Sequence, residues 1–151
     1  GAAAISRALS GREEPLRVSF SRYAPAFMPL AVAVWAAHYG FHFATGALTI
    51  IPAFQTFLTD HGLNWLGAPN WQLGTILPGG WILPLQTLAV LAGFAGSLYV
   101  GTRIGRRDFG SPPAAMRAML PWVVVFIGLA AAALVLFNLP MEMRGAMLPG
   151  G

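Results

Sequence analysis

The sequence predicts an all-α integral membrane protein with three transmembrane helices (about 29–51, 81–104 and 120–139), the N-terminus in the cytoplasm and the C-terminus outside. Three observations carry this. Only 9% of the 151 residues are charged and 56% are apolar, against about 25% and about 45–50% in soluble domains, so too few charges exist to cover a water-facing surface. Three apolar runs are each long enough, at about 1.5 Å per helical residue, to cross a hydrocarbon core of about 30 Å. The basic residues, all of them arginine, gather beside two ends of those runs and avoid the third connection, which is the positive-inside pattern.

Residues 1–24 form a lead-in carrying Arg7, Arg12, Arg17 and Arg22 with the acidic pair Glu13 and Glu14. It has too little apolar length for a secretory signal, and its acidic residues argue against a transit peptide. A cytoplasmic segment, part helical and lying on the lipid headgroups, is expected. Residues 25–147 are then one membrane domain, with 148–151 as a tail.

The first span, PLAVAVWAAHYGFHFATGALTII, is expected to open near Pro29 and close before Pro52. The second, WILPLQTLAVLAGFAGSLYVGTRI, has Pro84 in its first turn, where a missing N–H is harmless. The third is expected to run from Leu120 to Leu139, with Pro121 in its first turn and Pro140 as its stop. Arg103, Arg106, Arg107 and Arg117 mark the second connection as cytoplasmic, so the 52–80 connection, which has no arginine, lies outside. That outer loop carries Trp65, Trp71 and Trp81, whose indoles favour the headgroup region, and short helical turns are expected around 53–60.

Several chemistries are excluded at once. The chain has no cysteine, so it ligates no iron–sulfur cluster and forms no disulfide of its own. No phosphate-binding glycine loop, HExxH zinc motif, GxSxG nucleophile or dinucleotide fingerprint is present. The arginines form no aromatic-interleaved basic face, so nucleic acid is not an expected partner. Membrane lipid and other membrane subunits are.

Within the bilayer the titratable candidates are His38 and His42, whose i, i+4 spacing places them on one helix face about 6 Å apart along the axis. Extending that face gives a polar stripe of Trp35, His38, His42, Thr45 or Gly46, and Thr49. Counted from Ile51, His42 lies about 13 Å and His38 about 20 Å below the outer boundary, with Gln86 of the second span about 7 Å below it. Polar groups in lipid are costly unless paired, so the stripe should face protein or a cofactor. Four roles remain open for the pair: interhelical hydrogen bonding, axial ligation of haem or (bacterio)chlorophyll, quinone binding with proton transfer outward through Asp60 and Glu142, and metal binding. The last is disfavoured because no carboxylate sits beside the pair at helical spacing. Ala89, Gly93, Gly96, Ser97, Gly101 and Gly105 of the second span read as a helix-packing face. Glu142 and Arg144 follow the third span as an ion pair, a helix cap, or an outer proton acceptor with its arginine.

The runs WAAHYGFHFATGALTIIP, QTFLTDHG, GAPNW, LPW and PMEMRG resemble the C-terminal membrane portion of bacterial membrane-bound ferredoxin-type (4Fe-4S), polyferredoxin-like quinol dehydrogenase proteins. The resemblance covers residues 20–147 and extends residue by residue to His38, His42, Glu142 and Arg144. It implies a bacterial inner membrane (cytoplasmic or intracytoplasmic) and passage of electrons between quinone and clusters. The clusters themselves would belong to an upstream part or a different subunit. The resulting expectation is a membrane subunit of an electron-transfer or energy-transducing complex with a quinone-facing site in the outer half of the bilayer. The alternative is a non-catalytic scaffold or accessory subunit that packs against a respiratory or photosynthetic complex, its histidines packing or ligating haem or a pigment.

Overall fold

A computed structural model describes residues 1–139. Among them every regular element is helical: α1 (Ala2–Ser10), α2 (Leu16–Tyr23), α3 (Met28–Gly46), α4 (Ile50–Asp60), α5 (Ile82–Phe109) and α6 (Pro112–Asn138), with 3-10 turns at Ala24–Phe27, Trp71–Gly74 and Gly79–Trp81. Three stretches are long and apolar enough to cross a membrane, one within Leu16–Asp60, one within Trp71–Phe109, and Pro112–Asn138.

The helix boundaries differ from the sequence reading, each for a local reason. The first span stops at Gly46, not at Ile51, and α4 begins at Ile50. A proline ring collides with the carbonyl four residues earlier, so Pro52 forces the break upstream at 47–49 and then sits in the first turn of α4, where its missing N–H is harmless. The Ile76 N–H caps the end of α3 by donating to the Ala44 carbonyl at 2.8 Å. The second span continues past Ile104 to Phe109, with Arg106 and Arg107 in its last turn complementing the helix dipole. It stops at Gly110, whose φ of 65° favours glycine. The third span starts at Pro112, eight residues before the expected Leu120. Prolines are tolerated at the first helical positions, and Pro112 and Pro113 fill those positions straight after the Gly110 stop. Pro121 lies inside the helix. In the turn that it loosens, the Ala118 carbonyl accepts a buried hydrogen bond of 2.6 Å from Ser6 Oγ of α1. Pro140, Glu142, Arg144 and the 148–151 tail lie outside the described residues.

α5 is the central element, packed against both α3 and α6. Its buried residues Gln86, Val90, Gly93, Ser97, Gly101 and Ile104 recur every three or four positions. Gly93 allows the backbones to touch: a Cβ there would lie 2.3 Å from Ala33 Cβ and 2.9 Å from the Pro29 carbonyl. Gly101 instead makes room for the end of the Met119 side chain of α6, which a Cβ would meet at 2.3 Å. Two hydrogen bonds flank the α3 contact, Leu30 N–H to Ser97 Oγ at 3.1 Å and Gln86 Nε2 to the Ala37 carbonyl at 3.2 Å. Large apolar side chains meanwhile point outward, including Val32, Phe43, Leu88 and Val124. Small residues inside and large apolar ones outside is an arrangement compatible with lipid around the helices.

At the arginine end, α1 and α2 fold onto the helix ends. Arg22 grips both carboxylate oxygens of Glu14, the Nη2 contact at 2.7 Å, and its Nε lies 3.0 Å from Asp108 of α5. Arg12 stacks 4.5 Å from the Phe109 ring centroid and donates to the Asp108 backbone carbonyl. Beneath this cluster Tyr23, Ala26, Ile104, Met119, Trp122 and Phe126 form a core, in which Tyr23 stacks on Trp122 at 5.2 Å.

Two outcomes are expected. Gly93→Leu should destabilise the protein by about 1–3 kcal/mol through overpacking, read as thermal unfolding in detergent, whereas Gly128→Ala, where a Cβ meets nothing, should be close to neutral. The bidentate bond from Arg22 holds the Glu14 carboxyl below its ordinary value. A depressed folded-state value means that the stabilisation is present above the ordinary carboxylate range and lost as pH falls through the folded value. Glu14→Gln should therefore lower stability at pH 7 by about 1–2 kcal/mol, and melting curves taken toward strong acid should converge with those of the parent chain.

Candidate functional site

Holding α3 against α5 determines where its other residues go. Leu30, Ala37, Phe41 and Ala44 are its buried positions, and Trp35, His38, Tyr39 and His42 lie off that side. α3 and α6 both pack chiefly on α5 and less on each other, and an apolar groove of about 580 Å³ lies between them. His38, half-buried, is the titratable imidazole on its wall, beside the exposed rings of Trp35 and Tyr39. Leu129, Ala133 and Phe137 supply the α6 wall.

His42 lies one turn nearer the loop end and is exposed. The imidazoles are edge to face, 4.8 Å between ring centroids at 79°, and Tyr39 packs on His38 at 5.2 Å. Neither imidazole has a hydrogen-bond partner among the described residues. His42 stands four residues, or about 6 Å along the axis, before the end of α3 at Gly46. The expected stripe stays together from Trp35 to His42 but not beyond. Thr45 Oγ1 turns back onto the Phe41 carbonyl at 2.9 Å, and Thr49 Oγ1 onto that of Gly46 at 2.7 Å.

Gln86 is not brought to the histidines. It is buried between α5 and α3, bonds the Ala37 carbonyl, and borders a separate apolar groove of about 260 Å³ with Gly40, Phe41 and Leu85. Its link to the site is through the α3 backbone, one residue before His38. Asp60 is the exposed last residue of α4. Glu142 lies outside the described residues. No group of three or more His, Cys, Asp or Glu side chains gathers among the described residues.

The 52–80 connection is organised by a residue that the sequence reading passed over. Gln55 is buried on α4; its Nε2 donates to the Leu66 carbonyl and its Oε1 accepts from the Asn70 N–H, both at 3.0 Å. One side chain thus ties the loop to α4 and leaves Ile50, Phe54 and Phe57 of α4 exposed with Trp65 and Trp71. Tyr39 was also missed as a groove residue, although it stands four positions after Trp35 and next to His38. The Tyr23 hydroxyl and Trp122 Nε1 are buried without a partner among the described residues.

No protein-family model, curated protein or solved structure matches this chain.

Proposed function

We propose that the chain is a membrane subunit of an electron-transfer or energy-transducing complex of a bacterial inner membrane, and that the α3–α6 groove receives a quinone. The observation that carries the reading is the pairing of one imidazole, His38, with a long apolar groove walled by Trp35 and Tyr39. A quinone ring needs apolar walls, room for a tail, and a polar group for its oxygen. A groove open along the side of the bundle admits such a molecule from the bilayer. On oxidation a quinol supplies two electrons and two protons. His38 is suited to hydrogen-bond the ring oxygen, and His42, one turn toward the loop end, to take a proton from that side. Asp60 and Glu142 carry it outward, and Gln86 steadies the backbone before His38 as a positioning residue. The resemblance to the membrane portion of ferredoxin-type quinol dehydrogenases supports the same reading, with iron–sulfur clusters supplied from outside these residues.

A second reading rests on the exposed, unpartnered imidazole of His42. As an accessory subunit of a respiratory or photosynthetic complex, the chain would use it, or His38, as an axial ligand to a haem or (bacterio)chlorophyll lying against the bundle.

Titration of the chain in lipid nanodiscs with ubiquinone or menaquinone should quench tryptophan fluorescence to saturation, and His38→Ala should weaken the apparent affinity about tenfold, the scale of one lost hydrogen bond. An affinity unchanged by His38→Ala would overturn the quinone site. Haem or chlorophyll absorbance that co-purifies with the chain and disappears in His42→Ala would support the second reading. Topology has its own test, made simple by the lack of native cysteines. With the arginine end cytoplasmic, a membrane-impermeant maleimide should label Asn64→Cys in intact spheroplasts and Glu13→Cys only after lysis.

A further inference from the structure

We propose that the cleft between α2 and the C-terminal end of α5 binds the phosphodiester headgroup of an anionic phospholipid. The cleft, about 480 Å³, is lined by Arg17, Val18, Ser21, Arg22, Arg107 and Asp108. It lies at the arginine end of the spans, away from the α3–α6 groove, and does not depend on the quinone reading.

Its charges do not cancel. Glu14 and Asp108 are both engaged by Arg22, and the second Asp108 oxygen receives Arg107 Nε at 2.7 Å. Arg17 is exposed and has no carboxylate partner among the described residues. Arg107 uses only Nε on Asp108, and its side chain is 74% exposed, so its terminal nitrogens remain available as donors. Arg12 (4.0 Å from Glu14), Arg22 and Arg107 thus share two carboxylates while Arg17 shares neither, so positive charge is left over at the cleft. Arg103 stands one turn before Arg107 on the same face of α5 and extends the cationic strip toward the apolar part of the helix. Ser21 adds a hydroxyl that engages no other described group, and Val18 adds an apolar wall.

A phosphodiester is matched to this arrangement because guanidinium forks bind its oxygens through paired hydrogen bonds. The lipid, as opposed to a free anion, is favoured by position. From Arg107, Arg103 and Tyr99 follow at four-residue steps along the same face of α5, both exposed, and acyl chains would continue along that face toward the apolar part of the helix. Basic pockets among the cytoplasmic ends of membrane helices are suited to such headgroups.

The test uses the full chain in mild detergent, with native mass spectrometry counting retained lipid after titration with phosphatidylglycerol or phosphatidylcholine. Phosphatidylglycerol should be retained in clear preference. Arg17→Gln and Arg107→Gln should each weaken retention about fivefold, the scale of one arginine at a lipid headgroup. Ser21→Asp, which places a carboxylate in the cleft without removing an arginine, should do the same, and thermal unfolding of each variant in detergent separates loss of binding from loss of folding. Arg117→Gln, outside the cleft, should leave retention unchanged. Equal retention of the two lipids, or undiminished retention in Arg17→Gln and Ser21→Asp, would overturn the proposal. Displacement of the lipid by millimolar inorganic phosphate would overturn the lipid assignment in favour of a free-anion site.

Discussion

The close approach of α3 to α5 at Gly93 is the contact on which the rest of the bundle depends. Between helices surrounded by lipid, apolar burial supplies no driving force, because lipid tails are as apolar as leucine. What remains is backbone-to-backbone packing and the hydrogen bonds made where backbones meet. Gly93 provides the first, with no room for even one methyl group opposite Ala33. Ser97 and Gln86 provide the second, one on each side of it along α5. Farther along the same face, Gly101 makes room for the Met119 side chain of α6. A single helix face rich in small residues thus holds both neighbours, and the two neighbours have less reason to meet each other.

The candidate site follows from that asymmetry. With α3 seated on α5, His38 is turned partly toward α6 and His42 outward. The groove between α3 and α6 is what two helices leave when both pack on a third. Its chemistry is sparse: one imidazole on the wall, another one turn away, and aromatic rings beside them. Sparse polarity in an apolar groove suits a ring with a single oxygen to recognise more than it suits a hydrophilic substrate.

The arginine end is held by a different kind of force. There Arg12, Arg22, Glu14 and Asp108 join α1 and α2 to the end of α5 through charge-assisted bonds and ring stacking. Such contacts are strong where geometry is bidentate and part-buried. They turn a lead-in that reads as a headgroup-lying segment into two helices packed on the bundle. Residues 1–24 do not themselves say what they pack on, because the partners are nearly a hundred residues away in the chain.

What the sequence determined by itself is the helical class and the count of three membrane-length spans. Hydropathy acts locally and needs no partner to be read, and the 53–60 turn and the small-residue packing face of α5 were legible for the same reason. The helix ends were less so, since Pro52 stands in the first turn of a new helix and Pro121 inside a continuous one, and the residue type alone does not say which. The histidine pair was legible as a pair, because helical spacing alone places i and i+4 together. Only the tertiary structure decided that Gln86 turns to the α3 backbone and not to the imidazoles, that Gln55 gathers the loop, and that His38 shares a groove with α6. Each of these depends on the rotation of one helix against another, which is set by contacts such as Gly93 on Ala33 that link residues far apart in the chain.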